Sequence, residues 1–302
     1  MSYVPADALA IGEIDLAALS KTRFARKILA DASVADALRD ACGADVPSQV
    51  RRVTIVVPKR EPVEFGIAVE GSLAEGPLVE CAGRRARDRG SSLGSADRAG
   101  ALLHFDRDSP QGALAFPAPG LVLWGHRRAL GEMIETAKGK HERMPADAEH
   151  MRLRDRIGKG RQAWFAARVP ASVRQAWSDE APDDLRPFVE VSWIVAGLRL
   201  GDGVQISAIV RATSEPAAAR MERIAQRLLR KARLEPVFQL SAFGPVVERL
   251  QVSRERSEIV LSLSVSERQI DAIADSLADL ERALRPETEG TGDGKQETGN
   301  RR

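Results

Sequence analysis

The stretch from Phe188 to Arg233, FVEVSWIVAGLRLGDGVQISAIVRATSEPAAARMERIAQRLLRKAR, decides how the chain is read. Val189, Val191, Trp193 and Val195 alternate with smaller or polar residues, Leu198 and Leu200 lead into Gly201-Asp202-Gly203, and Val204, Ile206, Ala208 and Val210 alternate again. Asp-Gly between two runs of period 2 marks a hairpin, because glycine accepts the positive φ of a tight turn whose twist matches the strands. A helix is predicted directly after it. Ser214 can accept from the free amides of a first turn, Pro216 suits an early helical position, and Met221, Ile224, Ala225, Leu228 and Leu229 form one stripe at helical spacing. Val191, Trp193 and Val195 are expected to face the core under that stripe. Glu190, Ser192, Gln205, Ser207 and Arg211 then lie on a wet face.

Working outward, residues 162–169 read as a strand, and Pro170 opens a short helix through Trp177. Downstream, 246–252 and 259–265 read as strands around a polar turn at 253–258, and Ser266 caps a last helix bearing Ile270, Ile273, Ala274, Leu277 and Leu280. Before the linker-like residues 139–160, a similar order occurs. A strand over 8–14 is followed by a helix capped by Asp15, which carries Leu16, Leu19, Phe24, Ile28 and Leu29. Strands at 50–57 and 63–69 form a hairpin, 73–89 is weakly helical, and 90–100 reads as a glycine- and serine-rich loop. Strands at 101–105, 112–116 and 121–124 precede a helix over 126–138.

These elements predict an α+β fold of two similar halves, an internal duplication in which each half is an antiparallel sheet of about four strands with helices packed on one face. The expected division is 1–138 for the first half, 139–160 for the linker, 161–285 for the second half, and 286–302 for a disordered tail that contains no apolar residue.

Composition bounds the function. With 43% apolar and 29% charged residues and a net charge of +2, the chain reads as a soluble globular protein without the positive field that generic nucleic-acid binding requires. No run of residues is long and apolar enough to cross a bilayer. Residues 1–5 show no basic segment followed by an apolar one, so the chain as written reads as cytoplasmic, and as periplasmic or envelope-bound if a signal preceded it. Cys42 and Cys81, the two cysteines, have neither metal-site nor framework spacing and read as buried thiols.

The opening Pro5-Ala6-Asp7-Ala8-Leu9-Ala10-Ile11-Gly12-Glu13-Ile14-Asp15-Leu16-Ala17-Ala18-Leu19 resembles that of a loose group of uncharacterised, internally duplicated α+β bacterial proteins, often envelope-associated. In that group such an opening commonly follows a secretion or lipid-anchor signal. The resemblance brings no catalytic or binding residue with it.

No nucleophile elbow, P-loop, dinucleotide fingerprint or Cys-x-x-Cys occurs. His141 and His150 fall in the charged 139–160 segment without metal-site spacing and read as solvated. His104 and His126 sit on or just after neighbouring candidate strands and could meet in space. Gly90-Ser91-Ser92-Leu93-Gly94-Ser95, behind Arg84, Arg85, Arg87 and Arg89, superficially suggests an anion-cradling loop, but it lacks the lysine and the preceding strand of a P-loop. Trp164 and Trp193 fall on strands, where packing is the default role and lining a sheet face that meets a ligand is the other. The expectation is therefore a non-enzymatic binding or structural module acting through an open sheet face or the groove between halves. Its ligand candidates are Trp164, His104 and His126, and it has no cofactor, no metal and no nucleic acid. The alternative is a hydrolase or transferase in that groove. A lipid carrier, recognisable by an apolar cavity, is a sub-case of binding. The expected partner is a protein or a lipid or small-molecule ligand on the open sheet face.

Overall fold

The computed structural model describes residues 1–22, 46–59, 63–109, 112–180, 182, 186–236, 244–273 and 275. The Asp-Gly hairpin forms as its alternation requires, with β9 at Val191–Leu200 and β10 at Gly203–Ala212 paired antiparallel from Val204 opposite Leu200. It is part of one sheet of twelve antiparallel strands. The others are β1 (Ala10–Asp15), β2 (Val50–Val57), β3 (Gly66–Gly71), β4 (Leu93–Arg98), β5 (Ala101–Asp106), β6 (Ala113–Ala118), β7 (Leu121–Gly125), β8 (Ala163–Arg168), β11 (Gln251–Glu255) and β12 (Glu258–Ser266). Their order is β11-β12-β10-β9-β8-β1-β2-β3-β7-β6-β5-β4.

This overturns the expectation of two sheets of about four strands. The first strand of each expected half, β1 and β8, pair with each other from Ala10 opposite Ala167 to Ile14 opposite Ala163. β1 also pairs with β2 and β8 with β9. Neither β1 nor β8 is an edge strand, because each supplies the other's missing backbone partners. One wing then has seven strands and the other five, and no groove separates two sheets.

Helices also lie on both faces, not on one. The α-helices described from end to end are α1 (Leu16–Leu19), α2 (Val46–Gln49), α3 (Glu75–Asp88), α4 (Arg127–Ala137), α5 (Glu149–Arg156), α6 (Ala171–Glu180), α7 (Glu215–Leu234) and α8 (Gly244–Arg249), and residues 267–273 are helical as well. Cross-strand partners share a face, so Ile11, Val56, Ala68, Leu123, Ala115, Leu103, Ala166 and Val195 form one continuous apolar surface. The N-terminal Tyr3 and Val4, Leu130, Met133 and Ile134 of α4, and Leu153 of α5 bury it. On the other face α7 buries Ala217, Ala218 and Met221 against Val191, Ala212 and Ile259. Ser214 caps α7 by accepting from the Ala217 amide, as its position predicts.

A register shift between Arg211 and Ala212 explains why Val191 and Trp193 do not share a face: Val191 enters the core under α7, whereas Trp193 packs with Val195 in the larger core. The α7 stripe therefore sits on the even-numbered face of β9, the one carrying Ile194. Residues 139–160 do not form a solvated segment. Met144, His150, Met151, Leu153 and Ile157 are buried, and His150 meets Trp193 edge to face at 4.8 Å. Two further expectations fail in the wings. Residues 93–98 of the presumed loop form the edge strand β4, and 246–249 are helical, so the strand moves to 251–255, where a turn had been expected. Cys81 is buried on α3 and disulfide-bonded, not a thiol. Cys42, the apolar positions 24–41 and the 286–302 tail lie outside the described residues.

Candidate functional site

On the face that α7 shares, α3 crosses the other wing on its way from β3 to the edge strand β4. Its Glu75 start and its Arg85, Arg87 and Arg89 end place the cationic residues late in the helix, where the carbonyl ends favour them. Between α3 and the strands lies a cavity of about 450 Å³. Leu93, His104, Asp106, Leu114 and Trp124 form its floor, Ala82, Arg85 and Arg89 one wall, and Phe65 and His126 the opposite rim. The floor follows from register: His104 faces Leu114, and Leu114 faces Trp124, so three successive strands send these side chains to the same side.

His104 is 8% exposed, and its buried Nε2 has no hydrogen-bond partner. The nearest carboxylate, Glu75, is 3.8 Å away, beyond hydrogen-bonding reach. Leaving a buried ring nitrogen unbonded costs free energy unless something outside the chain meets it. Two residues along β5, Asp106 is buried and fully engaged. It accepts from the Ser91 hydroxyl, from Arg89 Nη2 at 2.9 Å and from the Asp108 amide at 3.1 Å. The Ser91 bond, helped by the Asp108 amide and Arg89 and opposed by burial, holds its carboxyl below the usual carboxylate range. Asp106 is thus an ionised strut that orders the 89–92 turn and positions Arg89. Arg85 lines the same space, with no carboxylate bonded to it among the described residues.

The rim is aromatic. His126 packs edge to face on Phe65 at 4.8 Å, and its Nδ1 lies 3.3 Å from both the amide and the carbonyl of Phe65. Trp124 is 52% exposed on the floor, an unusual position for a tryptophan flanked by strands on both sides. Together these groups place around one cavity two guanidiniums, one of them held by Asp106, an aromatic surface and an enclosed, unbonded imidazole nitrogen. That set can hold an anionic head with charge-assisted hydrogen bonds and stack a flat body. Among the described residues no three His, Cys, Asp or Glu side chains converge to hold a metal ion.

Of the three residues singled out in the sequence, His104 and His126 line this one cavity. Trp164 does not: it is 7% exposed on the opposite, covered face, with the Arg154 guanidinium 5.4 Å over its ring. His141 pairs with Glu135 at 2.9 Å and does not line the cavity. Sequence reasoning missed Asp106 and Trp124 as site residues and set Arg85, Arg89 and Ser91 aside. The available signal was the arginine run followed by Gly90-Ser91. It gains meaning only once β4 turns the chain back beside β5. Compared with protein-family models, curated proteins and solved structures, the chain matches none. No described helix is long and apolar enough to cross a membrane.

Proposed function

We propose that this chain is a non-enzymatic binding module whose α3 cavity takes a small anionic ligand, a carboxylate or phosphate monoester, attached to a flat apolar body. The observation that carries this reading is the buried, unbonded His104 Nε2 in the floor of a cavity whose wall holds Arg85 and Arg89. Arg85 and Arg89 supply the charge, His104 a directed hydrogen bond, and Trp124, Phe65 and His126 the stacking surface. Binding is favoured over turnover because the Ser91 hydroxyl donates its hydrogen bond to Asp106 and, among the described residues, no hydroxyl is hydrogen-bonded to His104 Nε2. The mixed polar lining favours a compact anion over an acyl chain.

One feature supports a place in the bacterial cell envelope, as the resemblance of the opening residues implies. The disulfide at Cys81 suits an oxidising compartment. The pairing order outward from β1 and β8 also runs in parallel, each wing carrying a crossover helix on the same face. That supports descent of the wings from one duplicated unit, with β4 and β5 added to one of them.

Thermal unfolding in the presence of phenyl phosphate, benzoate and benzyl alcohol tests the ligand class. Each anion raises the midpoint in proportion to the logarithm of its concentration above its dissociation constant, and the neutral alcohol does not. An equal response to all three, or none to either anion, overturns the reading.

A further inference from the structure

The cavity leaves unexplained a strongly cationic surface, the outer side of α7. Arg220, Arg223, Arg227 and Arg230 follow one another at spacings of three, four and three residues. At about 100° per residue they fall within an arc of about 80°, a straight stripe about 15 Å long at about 1.5 Å rise per residue. The helix cannot roll this stripe inward, because Ala217, Ala218 and Met221 on its opposite side are fully buried in the core. All four arginines are exposed. Arg220 is paired with Glu190 at 2.6 Å, while no carboxylate is paired with Arg223, Arg227 or Arg230 among the described residues. The two acidic residues of the helix do not answer them: Glu222 is engaged by Arg254 from β11 at 3.0 Å, and Glu215 stands in the first turn.

Six basic side chains against two acidic ones on α7 contrast with a net charge of +2 for the entire chain, so the rest of the protein is slightly acidic and the positive field is local. Like charges at three- and four-residue spacing destabilise a helix, a cost that an external anionic surface would reverse. Leu234, 75% exposed, extends the same side of the helix by one further turn and adds an apolar contact at the end of the stripe.

We infer that the outer face of α7 docks on a surface of anionic phospholipid. Guanidiniums match phosphate oxygens in bidentate geometry, a straight row on a rigid helix fits a flat array of headgroups, and an exposed leucine in line with it suits the interfacial layer. A nucleic-acid strand fits less well, since no aromatic side chain stands among the arginines to stack a base and the chain as a whole carries no steering field. The apolar side of α7 stays in the core, so the contact is peripheral and dependent on ionic strength. It shares no residue with the α3 cavity.

Flotation of the full chain with vesicles tests this. Vesicles of equal parts phosphatidylglycerol and phosphatidylcholine are expected to carry the protein at low salt and to release it as salt rises. Vesicles of phosphatidylcholine alone are expected to leave it behind. Arg223→Gln, Arg227→Gln and Arg230→Gln together should lower partitioning roughly 100-fold, from the contribution of each cation near an anionic surface. Arg84→Gln with Arg87→Gln, on the other wing, should leave it within about twofold. These positions are exposed, so folding is checked by an unchanged thermal midpoint. Should the triple variant unfold early, Arg227→Glu alone is scored in its place. The inference is overturned if wild type does not float with anionic vesicles, floats equally with neutral ones, or partitions like the triple variant. Retention of a DNA duplex as strong as that of the vesicles at the same salt would overturn it as well.

Discussion

Replacing Ile11 with alanine probes the seam where the two wings become one sheet. Ile11 is 1% exposed and stands between Val56 of β2 and Ala166 of β8, both fully buried. The substitution removes three carbons, about 2.4 kcal/mol of transfer free energy at about 0.8 kcal/mol per methylene. The space left behind cannot close, because strands hydrogen-bonded on both sides fix the backbone around it, which raises the expected cost to about 3 kcal/mol. Hydrogen exchange under native conditions reads where that loss appears. In one continuous sheet the slowest amides of β2 and β3 and those of β9 and β10 lose the same free energy, because both sets open only in the global transition. A loss confined to residues 50–125, with 191–212 unchanged, would show two independently stable units and refute the single cooperative sheet.

Three further outcomes follow from buried polar groups. Burial lowers the pKa of His150 below its usual value of 6.5, against the opposing pull of the Leu9 carbonyl and Glu149, so the folded chain holds the ring neutral. Stability from this site is therefore full above about pH 6.5 and declines as pH falls from there through the folded-state value, and His150→Gln should flatten that part of a denaturation-midpoint profile. Arg211 bonds Glu149 at 2.6 Å and the buried Glu258 at 2.8 Å, and Arg156 also holds Glu258. Arg211→Met should cost about 1.5–3 kcal/mol in urea unfolding, whereas Arg51→Ala, at the exposed end of its bond to Glu70, should cost under about 1 kcal/mol. Tyr3→Phe removes a hydroxyl placed 2.8 Å from Thr54 Oγ1 and 3.0 Å from Glu70, and it should lower stability by about 1–2 kcal/mol while leaving the urea dependence unchanged.

Where strand alternation and helix capping were regular, the sequence was legible, although neither Gly201 nor Gly203 of the hairpin turn takes the positive φ expected of it. Asp202-Gly203 marked the β9–β10 hairpin, and Ser214 with Pro216 marked the start of α7. The two edge strands were missed for a shared reason. The β4–β5 turn uses Ala99 at φ +52° ahead of Gly100, and the β11–β12 turn uses Arg256 at φ +55°. Neither residue signals the left-handed conformation that it adopts, so 90–100 read as loop and 253–258 as a long turn. The joining of the halves was illegible for another reason. Ala8 to Ile14 and 162–169 look like any half-buried strands, and nothing local says that each is the other's neighbour. The site was half legible. His104 and His126 were visible as rare residues on adjoining elements. Arg85, Arg89 and Ser91 join them only through the β4 strand that the sequence hid, and Trp124 counts as exposed only once its strand's covered face is known.

The chemical state of the His104 ring tests the account most directly. Long-range proton–nitrogen correlation spectra of the full chain, recorded during titration with phenyl phosphate, report on Nε2 itself. The account predicts a saturable shift of the His104 Nε2 resonance, absent with benzyl alcohol, and a dissociation constant raised at least tenfold in Arg85→Ala with an unchanged thermal midpoint. A His104 resonance that stays fixed while phenyl phosphate reaches saturating levels, or a response that Arg85→Ala leaves intact, would contradict a ligand site under α3.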